Sequence, residues 1–353
     1  MTAKSRRRFV GRVLTIGTVC AFALACCVSC APAGKPAVGE SLDIALFSEL
    51  QGAVVPLVYG VDNYGGEFDL AISVDQNVTI FESHKSLIKT ARAGNIQVMA
   101  TSMSAILDAR EGGENLKIFC PYVGVDDFVL AGAHGVNTVD QLFQPETRVG
   151  IDSPGGAGAI VLNALLRGVG EARDIPDIPN QQIIESSGDR TAEWADGKLD
   201  ATVIHEVQYD GVEAQVDRPV RIATLYENAP EFVKAAQAAD ADWLDQNREL
   251  AARYCATTLR AMTKLKGVFA LFEAAVNDYV EDPPSADGMR DLFELINTYP
   301  FWTEDGGLSE QSMQYMIDLS IESGVIATGL NAADVVDRET LNRAVELANR
   351  PAG

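Results

Sequence analysis

The sequence predicts an α/β body followed by a helical C-terminal segment. Strand-like and helix-like hydrophobic periods alternate from Leu42 to Leu225, which argues for parallel sheets with crossover helices. After Leu225 only the 3.6-residue period continues. The chain has 353 residues, 47% of them apolar, and at about 100–200 residues per domain this supports two sizeable domains, each with its own core.

The first element is a targeting segment. Lys4, Arg6, Arg7, Arg8 and Arg12 precede an apolar stretch, Val13 to Val28, that Thr15, Gly17 and Thr18 interrupt. Basic residues followed by a short apolar run are the pattern of an export signal, and the run falls short of the about 20 apolar residues a spanning helix needs. Ser5-Arg6-Arg7-x-Phe9 also resembles the twin-arginine address, although three adjacent arginines suit an ordinary basic leader equally well. No acidic residue precedes Glu40, so losing these five cations moves the formal charge from -22 to -27. A chain that acidic repels phosphate backbones, which excludes nucleic acid as a general partner.

Four of the six cysteines, Cys20, Cys26, Cys27 and Cys30, lie in or at the end of this run. A cysteine closing a small-residue apolar segment ahead of Ala31-Pro32-Ala33-Gly34 resembles a bacterial lipoprotein cleavage site, and Cys30, preceded by Ser29, is the expected lipidation site. Cys27, with Leu24 and Ala25 before it, is the alternative. The group Cys26-Cys27-x-x-Cys30 has no downstream partner at zinc spacing. The remaining thiols, Cys120 and Cys255, read as buried small side chains rather than a bridge, because each sits in an apolar run.

Strands are expected at 42–47, 68–74, 96–100, 116–121, 128–133, 148–152, 182–185, 201–205 and 220–225. Helical spacing fills 54–62, 83–93, 104–111, 138–143, 158–169 and 191–196 between them. Asn77-Val78-Thr79 reads as a loop. Beyond residue 225, helices are expected at 243–265, 267–280, 289–299, 309–323 and 338–348, with no strand. Trp194 and Trp243 fall on helical spacing and read as packing.

One supersecondary event occurs twice. A strand ending at Ala100 passes through Thr101-Ser102-Met103-Ser104 into a helix, and another ending at Asp152 passes through Ser153-Pro154-Gly155-Gly156-Ala157 into a helix. Ligands of open α/β sheets bind outside such carboxyl ends, where amides and the helix dipole favour polar or negative groups. Catalytic motifs fail in turn. His205-Glu206 begins like a zinc-protease motif, but Tyr209 stands where the second His is needed. Ser153 lacks the preceding glycine of a nucleophile elbow, and Gly155-Gly156-Ala157-Gly158 has neither P-loop nor dinucleotide spacing.

Three stretches together resemble a known family. They are Ala93-Gly94-Asn95-Ile96-Gln97-Val98 with Thr101-Ser102, then Asp189 to Glu206 with Gly197-Lys198-Leu199-Asp200-Ala201, and finally Leu308-Ser309-Glu310 with Gly324-Val325-Ile326 and Asp334-Val335-Val336-Asp337. From Leu42 to about Leu347 the chain is similar to type II periplasmic solute-binding proteins of ABC importers, the family of taurine, alkanesulfonate, nitrate and thiamine-pyrimidine-precursor binders. Val207 replaces the family's usual proline, and Phe47-Ser48-Glu49-Leu50-Gln51 departs from its common first loop.

The resemblance implies an α/β, two-lobed type II periplasmic-binding-protein fold with hinge strands and a helical C-terminal segment. Residues 1–29 would be the export signal and 30–41 the lipidated Cys30 with its linker. Lobe 1 would hold 42–123 and 226–353, and lobe 2 would hold 124–225. It implies no catalysis and no cofactor, but a small ligand (sulfonate, carboxylate, nitrate-like or pyrimidine-like), ABC permease subunits as partners, and a lipid-anchored, extracytoplasmic location. The ligand residues expected are Ser48, Gln51, Thr101 and Ser102 from one lobe and Ser153, Gly155, Gly156, Ala157, His205 and Glu206 from the other, with Tyr226 a lesser candidate. Alternatives are an enzyme on this fold related to pyrimidine-precursor synthases, whose cysteine-rich stretch is absent here outside the export signal, and a surface sensor or adhesin that does not transport.

Overall fold

The computed structural model describes residues 39–47, 52–81, 83–94, 96–153, 155–304 and 306–351. Ten strands follow one another: β1 (Ile44–Phe47), β2 (Val78–Phe81), β3 (Val98–Ser102), β4 (Leu116–Val123), β5 (Phe128–Gly132), β6 (Val149–Ile151), β7 (Gln181–Ile183), β8 (Ala201–His205), β9 (Val220–Thr224) and β10 (Ala235–Asp240). They form two five-stranded sheets, ordered β2-β1-β3-β10-β4 and β7-β6-β8-β5-β9. The plan is the same in both. Three parallel strands sit on one side (β2, β1, β3 and β7, β6, β8), and the fourth (β10 or β5) runs antiparallel to both neighbours.

The chain crosses between the sheets twice, after β4 and after β9. The crossings run side by side: the Lys234 amide donates to the Gly124 carbonyl at 2.8 Å, and the Gly124 amide donates to Phe301 at 2.8 Å. A Cβ at Gly124 would stand 2.2 Å from the Pro300 carbonyl oxygen, so only glycine admits this approach.

β8 lies where the sequence places it, and most other strands within two residues. Two segments differ. The stretch expected as a strand at 68–74 opens with a 3-10 turn, Gly65–Phe68, and closes into a helical turn at Val74–Asn77, because Asp69 adopts a left-handed φ of 55°. The strand is instead β2, beginning at Val78 inside the stretch read as a loop. It is a half-exposed edge strand, paired only with β1, and so lacks the continuous apolar run that marks a buried parallel strand.

The second difference is β10, within the region expected to hold no strand. Its sequence, Ala-Ala-Gln-Ala-Ala-Asp, has weak strand propensity. Hydrogen bonds from β3 and β4 on both sides impose the conformation, and the buried Gln237 donates to Pro121 O (3.1 Å) while accepting from the Tyr254 hydroxyl (2.6 Å).

The helix Ala241–Gly267 packs on β4, β10 and the helix Val55–Tyr64. It also overturns the expectation for the two cysteines. Cys120 in β4 and Cys255 in this helix form a disulfide with Cα atoms 5.5 Å apart. Each thiol sits in an apolar run because both are fully buried, and strand and helix face each other at bridging distance. Farther on, the helix Glu310–Glu322 touches both Met103–Glu111 and Ala157–Gly168, tying the C-terminal segment to helices that follow strands of each sheet. Trp194 is fully buried, 5.3 Å from the Tyr209 ring. Among the described residues no helix is long and apolar enough to cross a membrane.

Candidate functional site

The carboxyl ends of β1, β3, β6 and β8 lead into the segments that the sequence singles out. Ser48 and Gln51, like Cys30 and the N-terminal segment expected to be an export signal, lie outside the described residues.

At the end of β3, Thr101 is buried (2% exposed) and its Oγ1 lies 2.7 Å from Nδ1 of His84. Ser102 caps the helix Met103–Glu111, accepting from the Ala105 amide at 3.3 Å. Both hydroxyls are engaged within the fold, and Thr101 serves to hold His84. That imidazole stacks on Phe47 at the end of β1, ring centroids 3.4 Å apart. Burial lowers its pKa to about 4, so His84 is neutral at pH 7. Sequence reasoning missed His84, which carried no motif. The available signal was its place, one of three histidines and the first residue of the helix His84–Arg92.

At the end of β6 the carboxylate of Asp152 turns onto the start of the next helix, beside Ser153, Gly155 and Gly156. Asp152 Oδ2 accepts from the Gly158 amide at 2.6 Å and Oδ1 from the Ala159 amide at 2.7 Å. The Ser153 carbonyl accepts from Gly156 N at 2.8 Å. Gly155 has a φ of +77°, and a Cβ at Gly156 would lie 2.4 Å from Asp152 Oδ2, which explains both glycines. The positive end of the helix Ala157–Gly168 is thus already occupied by a carboxylate from its own strand. Arg190, 3% exposed, lies beside Gly158 and donates to the carbonyls of Ile184 (2.8 Å) and Glu185 (2.9 Å). Burial lowers its pKa and the charge of Asp152 opposes that. Ser153, Gly155, Gly156 and Ala157 therefore lie together around a helix end whose field Asp152 already answers.

At the end of β8 the two expected residues meet the crossing segments. His205 Nδ1 lies 2.6 Å from Asp127 Oδ1, and its ring packs 4.0 Å from Phe128. The Glu206 amide donates to the Asp127 carbonyl at 2.8 Å. Glu206 Oε2 accepts from Arg221 Nε at 2.8 Å and Oε1 from the Tyr226 hydroxyl at 2.8 Å. Burial and the Glu206 charge push the Tyr226 phenol upward. The Tyr226 ring packs, tilted, against Tyr299 with centroids 4.7 Å apart, so Glu206 connects β8 and β9 to the C-terminal segment. Behind them Asp126, 2% exposed, pairs with Lys234 on the second crossing. Burial pushes the Asp127 carboxyl up, but the His205 charge and hydrogen bond outweigh it and leave the pKa lowered.

Each sheet thus presents a phenylalanine–histidine pair at its strand ends, Phe47–His84 and Phe128–His205. The structure brings His205, Glu206 and Tyr226 into one network with Asp126, Asp127, Arg221 and Lys234, four residues that no sequence motif marks. A groove of about 280 Å³ lies elsewhere, at the amino end of β3, bounded by Arg92, Gln97, Glu114, Asp240 and Trp243.

No family model and no curated protein matches the sequence. Solved structures do match. The ligand-binding component of an ABC-type import system from Staphylococcus aureus, with zinc bound, aligns at a TM-score of 0.64 and 12% identity, over 86% of this chain and 99% of that one. The periplasmic aliphatic sulphonate-binding protein SsuA of Escherichia coli aligns at 0.59 and 15% identity, over 86% and 99%. The periplasmic nitrate-binding protein NrtA of Synechocystis PCC 6803 aligns at 0.61 and 12% identity, over 89% and 90%. Two sheets of one plan, joined by paired crossings and matched over nearly the full length of these chains, make this a protein of the periplasmic-binding-protein fold.

Proposed function

We propose that this protein is the extracytoplasmic solute-binding lipoprotein of an ABC importer, capturing a small polar organic solute between two lobes and passing it to a membrane permease. The observation that carries this reading is the pair of like-planned sheets whose strand ends each offer a phenylalanine–histidine pair and polar groups beside two adjacent crossings. In this reading residues 42–123 and 226–353 are one lobe, 124–225 is the other, and the crossings act as a hinge. Its neighbours in fold include the ligand-binding component of an ABC-type import system and periplasmic binding proteins for sulphonate and nitrate. The Cys120–Cys255 bridge supports an oxidising compartment outside the cytoplasm. Lipidation of Cys30 and export by the N-terminal segment complete the assignment.

The ligand set comprises Ser48, Gln51, Thr101, Ser102, Ser153, Gly155, Gly156, Ala157, His205 and Glu206, to which His84 is added. The two imidazoles and their phenylalanines present flat aromatic faces at the strand ends, which fits a heteroaromatic solute better than a bare anion.

A thermal-shift screen of the full-length protein against sulfonates, nitrate, amino acids, aromatic acids and pyrimidines tests this. A ligand binding only the folded state at 100 times its Kd adds about 2.7 kcal/mol, an easily read shift. One responding class is expected, with Ser153→Ala and Glu206→Ala weakening it. Silence across the panel counts against solute capture, and a hit indifferent to both substitutions overturns the site.

A further inference from the structure

Asp126 and Asp127 lie on the first crossing, between β4 and β5, and His205 ends β8. One donor atom from each of the three lies within 4.8 Å of the others. His205 Nδ1 is 2.6 Å from Asp127 Oδ1 and 3.9 Å from Asp126 Oδ2. A tetrahedral ion with bonds of about 2.0–2.1 Å holds its donors about 3.3 Å apart. These two separations bracket that value, and the third, between the two carboxylates, lies within 4.8 Å, so modest side-chain shifts bring the donors around one ion.

Two carboxylates and an imidazole converge beside one ammonium, Lys234, and the side chains of Asp126, Asp127 and His205 are only 2%, 18% and 15% exposed. Glu206, the next residue after His205, does not compete for an ion, because Arg221 and Tyr226 hold its two oxygens.

Two contacts hold the donors in place. Phe128 fixes the imidazole plane from one face, and the Glu206 amide ties the Asp127 backbone to the end of β8.

We infer that Asp126, Asp127 and His205 form a site for a divalent transition metal of the zinc class at the crossing between the two sheets, with Lys234 holding Asp126 when the ion is absent. Imidazole and carboxylate donors suit zinc, and three protein donors leave a fourth position for water or a solute atom. Binding through Nδ1 requires the imidazole proton on Nε2 and displaces the Lys234 ammonium from Asp126, so the ion and the ammonium compete. The inference shares His205 with the solute site proposed above but does not depend on any solute.

The test is calorimetric titration of Zn²⁺ into chelator-stripped, full-length protein with no solute present, paired with visible absorption of the Co²⁺ form. One ion per chain and the absorption of a four-coordinate Co²⁺ site are expected. His205→Ala and Asp127→Asn should each weaken binding at least about tenfold, as loss of metal-site partners does, and Lys234→Met should tighten it. Melting curves recorded without metal confirm that the variants fold. No one-to-one binding by the unsubstituted protein at millimolar Zn²⁺ overturns the inference, as does binding unchanged in both weakening variants. Failure here leaves the solute reading intact, since the titration contains none.

Discussion

Removing the Cys120–Cys255 bridge tests how this architecture is held together. The bridge joins β4 to the helix Ala241–Gly267 across a sequence separation of 135 residues. Between its ends lie all of β5 to β9 and both crossings, so the chain leaves the first sheet, builds the second and returns inside one covalent loop. Closing a loop of that length removes about 17 cal/mol/K from the unfolded chain, or about 5 kcal/mol at 25 °C. Residual structure in the denatured state lowers that figure, and the space left by two buried sulfur atoms raises the cost of a Cys120→Ala/Cys255→Ala double substitution. Urea unfolding of oxidised protein and double variant, followed by circular dichroism, should differ by about 5 kcal/mol. A difference below about 1 kcal/mol would refute the loop argument. Two more reactive thiols in the freshly denatured, unreduced protein than in the double variant would refute the bridge itself.

Two further outcomes follow from the strand ends. Asp152→Ala removes both charge-assisted bonds to the Gly158 and Ala159 amides and leaves the buried Arg190 without its neighbouring carboxylate. It should cost about 3 kcal/mol in chemical denaturation, and a loss under 1 kcal/mol would mean that Asp152 does not hold this helix end. The pKa of His84 falls from 6.5 to about 4 on folding through burial. Between those values the unfolded chain binds a proton that the folded one does not, so stability is complete above pH 6.5 and declines as pH falls toward 4. His84→Gln should flatten that part of the pH–stability profile, and an unchanged slope would place the titration elsewhere.

Much of the fold was legible because it rests on local period. Ala201–His205 announces β8 through a short apolar run closed by polar residues, and the long helices after Leu225 follow their 3.6-residue spacing. β10 was not legible. Its alanines have no strand preference, and the neighbours that impose the conformation, β3 and β4, lie more than 100 residues away in sequence. β2 escaped because an edge strand buries too little to write an apolar signature. The candidate site divides in the same way. Ser102, Ser153 and His205 stand out because strand-to-helix turns are local features. Asp126, Arg221 and Lys234 do not, since a charged residue on a loop or an outer strand carries no mark of the partner it will meet.

Composition and the alternating periods determined the α/β class, the helices of the C-terminal segment and the strand-to-helix turns, because each depends on residues a few positions apart. Tertiary structure alone decided that Cys120 and Cys255 form a bridge, that Asp152 answers the helix end the loop glycines seemed to leave open, and that His205 meets two aspartates from the crossing. Each of those pairings depends on distance in space between charges and thiols, which spacing along the chain does not encode.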